Sequence, residues 1–276
     1  MLSLVRTDVR DATLVVAVEE AQRLQTAFLA MAAHELRRPL APIRSAAAML
    51  GRVDADDAAA LARLQAIIER QVAHLSRLVD DLLDLSRANT GKLRLECSVV
   101  DLRDVIEAAV EACRPALARR RQRLVIVVPP SPVEVEGDPV RLTQVVGNLL
   151  DNACKFTPDA GAIEVLAALD GDFAVLSVAD SGIGIAPAAL PHVFEPFAQD
   201  VTSPGVDASG LGLGLTLVSE LVAAHGGCVV VHSGGAGKGS RFVVTLPLAS
   251  TAPACRRSAS GSEVFGARTA VHPLHR

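Results

Sequence analysis

The 276-residue sequence has no tryptophan, no tyrosine and only seven phenylalanines. Proteins that grip single-stranded nucleic acid stack bases on such rings, so that class is excluded. Charge of one sign is also lacking. The formal net charge is −4, which leaves no basic footprint for a phosphate backbone, and no nucleic-acid partner is expected. The five cysteines (Cys97, Cys113, Cys154, Cys228, Cys255) never form C-x-x-C. Neither a zinc site nor a disulfide framework is suggested, and the expected location is the reducing cytoplasm. Long apolar runs are missing too. Leu14 to Val18 is the longest near the N-terminus, far short of the roughly 20 residues that span a bilayer, and it lacks signal-peptide flanks. No direct membrane span is expected. What is present is apolar bulk: half of the residues are hydrophobic, enough for one large or two small cores.

Periodicity divides the chain into four parts. Residues 1–18 are mixed and stay unassigned. Residues 19–92 predict a helical hairpin. Its first helix carries Leu29, Ala32, Leu36, Pro39, Ile43, Ala46 and Leu50 at alternating spacings of three and four, the period of a packed seam. Gly51 is the expected stop, and Asp54 or Asp56 the expected cap of the second helix. That helix repeats Leu61, Leu64, Ile68, Gln71, Leu75, Leu78, Leu82 and Leu85, and Asn89 to Gly91 ends it. Two copies of such a hairpin close a four-helix bundle, so a homodimer is expected; a monomeric hairpin packed on the rest of the chain is the alternative.

Residues 93–249 predict a second domain of interleaved helices and strands. Helices are expected over Asp101–Leu117, Val140–Phe156 and Leu215–His225. Strands are expected over Leu124–Val128, Ala162–Ala168, Phe173–Ala179, Cys228–His232 and Arg241–Leu246. The fold class is therefore multidomain: an α hairpin followed by an α/β sandwich with a mixed sheet and helices on one face. The basic run Arg119-Arg120-Arg121-Gln122-Arg123 reads as a solvated helix end, where cations suit the dipole. Residues 250–276, rich in Ser, Ala, Pro and Arg without period, read as a disordered tail.

Two regions carry chemistry. In AHELRRPL, residues 33–40, His34 falls at heptad position f if Leu29 is a, so it faces solvent. A lone exposed helical histidine is usually a surface residue. Here Glu35 adjoins it and can hold one ring nitrogen as N–H, leaving the other as a nucleophile, or take a proton. Pro39 bends the helix one turn later. In the second domain, Asn148 and Asn152 of NLLDNACKF share a helix face with Lys155. Amide oxygens suit a hard cation such as Mg²⁺ and a lysine suits phosphate; a plain outer helix face is the alternative. In VADSGIGIAP, Asp180 ends a strand and Gly182 and Gly184 allow close backbone approach, although an ordinary strand exit looks the same. In SGLGLGLTLV, Gly210, Gly212 and Gly214 precede a helix whose free N–H groups can bind phosphate. GAGKGS, residues 235–240, is not a Walker A loop, since Gly239 follows Lys238.

The order and spacing of these stretches carry a resemblance. FLAMAAHELRRPLAPI, Phe28 to Ile43, closely resembles the phosphoacceptor box of sensor histidine kinases. The asparagine stretch, the Asp180 stretch and the glycine stretch resemble the N, G1 and G2 boxes of that family's Bergerat-fold ATP-binding domain. FEPF, Phe194 to Phe197, matches its F box and GKGSRFVVTLPL its closing strands. The resemblance spans roughly residues 20–248. It implies an ATP-dependent protein-histidine kinase of two-component signalling. His34 is the implied phosphoacceptor and Glu35 its base. Asn152, with Asn148, is the implied Mg²⁺ ligand, Lys155 contacts phosphate, and Asp180 reads the adenine amino group. Gly182, Gly184, Gly210, Gly212 and Gly214 line the nucleotide, and Pro187 to Ser209 forms a mobile lid. The implied partner is a response-regulator receiver domain on a separate chain. One position departs from the family: Arg38 stands where Thr or Asn often orients a dephosphorylating water. A gyrase- or MutL-like ATPase would lack the hairpin. A nucleotide-binding scaffold without phosphotransfer is opposed by the joint presence of His34, Glu35, Asn152 and Asp180.

Overall fold

Two helices open the described chain. The computed structural model describes residues 26, 30, 32–54, 57–90, 93–198 and 212–249. The segments 1–18 and 250–276, Gly210 and the lid beyond residue 198 lie outside these residues. Helix α1 runs over residues 32–50 and continues through Pro39. Helix α2, Ala58–Asn89, lies beside it. The seam residues Ala32, Pro39, Ala46, Leu64, Leu78 and Leu85 are buried, as the period requires. The cap of α2 is Asp57, whose carboxylate accepts from the Ala60 N–H at 2.9 Å. Asp54 does not take that place, since its carbonyl accepts from the Asp57 N–H in the preceding turn, and Asp56 lies outside the described residues. Among the described residues, no helix is long and apolar enough to cross a membrane.

The second domain is an α/β sandwich. Its five-stranded sheet has β2 (Arg123–Val127), β4 (Ala162–Asp170), β5 (Phe173–Asp180), β7 (Ser240–Pro247) and β6 (Cys228–His232) side by side in that order. Only the β2–β4 pairing is parallel, so the sheet is mixed. Helices α3 (Leu102–Arg119), α4 (Pro139–Phe156) and α5 (Gly214–Ala224) cover one face. Alternate strand residues such as Val165, Leu176 and Val244 point into this core, the signature of a sheet covered on one side. Leu149 and Leu150 of α4 are fully buried, each worth about 2 kcal/mol by burial alone. The sequence reading left out a two-stranded ribbon, β1 (Ser98–Asp101) against β3 (Glu134–Gly137). Each strand has four residues, too few for a period of two to stand out.

Two expectations are corrected. The basic run after α3 is not simply solvated. Arg120 is half-buried and Gln122 buried, and both donate to carbonyls at the end of α4. Arg121 turns the chain there with φ +51°. Among the cysteines, Cys113 and Cys154 are buried free thiols and Cys228 is exposed and free, but Cys97 is disulfide-bonded. Burial pushes the Cys113 thiol up to about 12 and the Cys154 thiol up to about 11.

The two parts touch through α2. Leu78 and Leu85 enter the same apolar cluster as the second domain. Arg141 of α4 pairs with Asp84 of α2, whose side chain is 5% exposed. Gln144 donates to Asp84 at 3.2 Å and to Asp81 at 3.4 Å. Burial pushes the Asp81 carboxyl up to about 6.

Candidate functional site

Helix α4 begins at Asp138, whose carboxylate accepts from the N–H groups of Val140, Arg141 and Glu96. Pro139 occupies the first turn, where its missing N–H costs nothing. This start fixes the rotation of the helix. Leu149, Leu150 and Ala153 face the core, and Asn148, Asn152 and Lys155 are half-buried on the other side. The Asn148 amide nitrogen donates to the Gly214 carbonyl at 3.4 Å, which leaves its oxygen as the free end. The Lys155 ammonium lies 4.8 Å from the Phe156 ring centre.

Asp180 closes β5. One carboxylate oxygen accepts from the Gly182 N–H at 2.7 Å and the other from the Ser240 hydroxyl at 2.5 Å. The following turn docks on the end of α4, with the Ile183 N–H donating to the Phe156 carbonyl at 3.1 Å. Gly182 has no room for a side chain, since a Cβ would stand 2.4 Å from that same carbonyl. Gly184 has φ +71°, and a Cβ there would meet the Gly235 carbonyl at 2.1 Å.

Sequence reasoning missed the loop behind this turn. Ser233 accepts from the Ile185 N–H at 2.9 Å and donates to the Gly239 carbonyl at 2.6 Å. Gly237 and Gly239 donate to the carbonyls of Ile183 and Gly182. The GAGKGS stretch, set aside as a failed phosphate loop, is thus a backbone brace for the Asp180 turn. Its alternating glycines were the available signal.

Helix α5 starts at Gly214 without a side-chain cap. Its first N–H groups lack the partner a Ser or Asp would give, and the helix dipole adds positive potential. Gly212 has φ +65°, and its carbonyl accepts from the Phe197 N–H at 3.2 Å. Phe194 packs edge-on against Phe242, ring centres 6.3 Å apart, which anchors the FEPF segment. Asn148, Gly214 and the uncapped α5 start therefore meet in one place, and Asn152 and Lys155 follow on the same helix face. Among the described residues, no group of three or more His, Cys, Asp or Glu could hold a metal. The donor set fits instead a hard cation held by amide oxygens together with ligand phosphates.

His34 stands apart on α1, exposed and without a hydrogen bond or ion pair to any of these groups. Glu35 does not face it, because adjacent helical residues point in different directions. Glu35 is buried, 7% exposed, and accepts from the Arg38 guanidinium at 3.0 Å. Burial lowers the pKa of His74 on α2; the charge of Arg77 also lowers it, and that of Glu35 opposes.

Two family models match the chain. "His Kinase A (phospho-acceptor) domain" covers residues 10–91, and "Histidine kinase-, DNA gyrase B-, and HSP90-like ATPase" covers residues 137–250. The sensor histidine kinase RcsC of Escherichia coli is 34% identical over 84% of this chain and 24% of its own. Among solved structures, the Acinetobacter baumannii histidine kinase AdeS is 26% identical, with TM-score 0.59, over 78% of this chain and 98% of that one. Full-length ShkA in complex with AMPPNP is 33% identical, with TM-score 0.59, over 83% of this chain and 47% of that one. Against the similar curated relatives, the chain spans from 24% to 45% of their length.

Proposed function

The chain belongs to the sensor histidine kinases of two-component systems, and on that footing we propose that it autophosphorylates His34 from ATP. The phosphoryl group then passes to an aspartate of a separate response-regulator receiver domain. One observation carries the reading. The uncapped start of α5 meets Asn148 on α4, and the turn after Asp180 docks on the last carbonyl of the same helix, although the three stretches lie far apart in sequence. That arrangement supports a site for adenine at Asp180 and phosphates near Lys155 and α5.

Each residue has a role in this reading. Asp180 accepts from the adenine amino group, with Gly182 and Gly184 keeping the turn close. Gly210, Gly212 and Gly214 keep side chains away from the triphosphate, and Lys155 offers it a point charge. Asn152 and Asn148 hold Mg²⁺ through their amide oxygens. When bound, that ion neutralises charge on the phosphates and leaves the γ-phosphoryl more electrophilic. A P–N bond forms to a ring nitrogen of His34 as the bond to ADP breaks, and the ring proton goes to Glu35. Glu35 is now paired with Arg38, so it must turn to receive that proton. Arg38 is then free to meet the incoming phosphoryl charge.

The wider organisation is proposed on the same footing. Residues 19–92 form the phosphoacceptor and dimerisation domain, and 93–249 the ATP-binding domain. Val72, Val79 and Leu83 are exposed at helical spacing on α2, which supports pairing with a second copy. The cytoplasm is the proposed place of action, since ATP and receiver domains are held there. The test is incubation of the purified chain with γ-labelled ATP and Mg²⁺, beside His34→Ala and Asn152→Ala. Acid-labile, alkali-stable label that disappears in both variants is expected. Label surviving in His34→Ala refutes the assignment of the acceptor.

A further inference from the structure

We propose that Arg120 and Gln122 are positioning residues for the nucleotide, clamping the end of α4 so that Lys155, Asn152 and the Asp180 turn keep one geometry. The inference rests on the kinase reading above and adds residues that it does not use. A helix leaves its last four carbonyls without helical partners, and at α4 all four are accounted for. The Ala153 carbonyl accepts from the Thr157 N–H at 3.0 Å. The Cys154 carbonyl accepts from Arg120 at 3.1 Å and Gln122 at 3.0 Å. The Lys155 carbonyl accepts from Arg120 at 3.0 Å. The Phe156 carbonyl accepts from Ile183, within the turn that follows Asp180.

Two of these four carbonyls therefore depend on side chains from the turn between α3 and β2, more than 30 residues away in sequence. The same side chains extend past the helix. Gln122 donates to the Thr157 carbonyl at 2.7 Å, and Arg120 reaches it at 3.4 Å. The Ala160 N–H donates back to the Arg120 carbonyl at 2.9 Å, tying the two turns together. A guanidinium also suits the negative end of the helix dipole. Without the clamp the last turn of α4 loses two acceptor pairings and frays. Lys155 and the anchor of Ile183 both lie in that turn, so nucleotide affinity falls before the fold does.

The test uses the full chain and the β,γ-imido analogue of ATP with Mg²⁺, titrated calorimetrically, beside autophosphorylation rates. Arg120→Ala is expected to raise the Kd of the analogue, and the KM for ATP, about tenfold, with kcat at saturating ATP within about twofold. Arg120→Lys keeps the charge but cannot lie across three carbonyls, so about a threefold rise is expected. Arg119→Ala, in the same basic run but without these contacts, should match the wild type. Amide exchange at Ile183 should quicken in Arg120→Ala. A Kd unchanged in Arg120→Ala combined with Gln122→Ala overturns the proposal. So does a lower bound fraction at unchanged Kd, which marks a purely structural role. Wild-type chain that binds the analogue but takes no label refutes the kinase reading alone, because the Kd comparison still stands. Wild-type chain that binds no analogue overturns both.

Discussion

Replacing His225 by glutamine should flatten the decline in stability that linkage predicts below pH 6.5. His225 follows α5 and is 7% exposed. Its Nδ1–H donates to the Leu221 carbonyl at 2.7 Å, and its Nε2 accepts from the Asp138 N–H at 3.0 Å. Both ring nitrogens are thus committed to the neutral form. Burial lowers its pKa from 6.5, opposed by the Leu221 carbonyl and the Asp138 charge. The sign follows from linkage. As pH falls through 6.5 the unfolded chain takes up this proton while the folded chain resists it. The contribution of His225 is therefore whole above pH 6.5 and declines toward the lower folded-state value. The slope cannot exceed about 1.4 kcal/mol per pH unit, so the loss from pH 6.5 to about pH 5 is at most about 2 kcal/mol. A glutamine can still accept from Asp138 but gives up the Leu221 contact, a cost of about 1 kcal/mol at about pH 8. Alanine leaves the Asp138 N–H buried and unpaired beside a void, a cost of about 2–4 kcal/mol. Urea unfolding followed by circular dichroism at three pH values measures all of this. His74 has the same sign, so the wild type minus His225→Gln isolates the group. An identical pH slope in the two proteins would refute the reasoning.

Three further outcomes are expected. Gly239 has φ +69°, and a Cβ there would lie 1.9 Å from the Asp180 carbonyl. Gly239→Ala should cost about 3 kcal/mol or more and abolish nucleotide binding. Gly171 has φ +57° with open space around it, so Gly171→Ala should cost only about 1 kcal/mol in a thermal melt. Asp84→Ala leaves Arg141 without its carboxylate though still bonded to Gln144, at a cost of about 1.5 kcal/mol to the contact between α2 and α4. Protease cleavage within residues 90–97 should then quicken about tenfold, and an unchanged rate would show that the pair does not hold the two parts together.

The seams of α1 and α2 were legible because helical period is a local property. Ala32, Pro39, Ala46, Leu64 and Leu78 are buried as their spacing requires. The helix carrying Asn148, Asn152 and Lys155 on one face was legible for the same reason. Glu35 was harder. Its place beside His34 in sequence suggested contact, yet its carboxylate meets Arg38 one turn on. The sequence names neighbours along the chain, whereas a helix pairs residues three or four apart.

By itself, then, the sequence determined the order of the helices and of the five main-sheet strands, the faces of the helices and the residue types of the phosphoacceptor and nucleotide stretches. Each depends on periods of two to four residues or on short motifs. Only the tertiary structure decided which partners those residues meet. Ser240 reaches Asp180 across 60 positions, and His225 reaches Asp138 across 87. The basic run around Arg120 became a clamp on α4 only because the sheet brings the start of β2 beside the end of that helix. Such pairings depend on how strands stack and helices pack, and no local pattern records them.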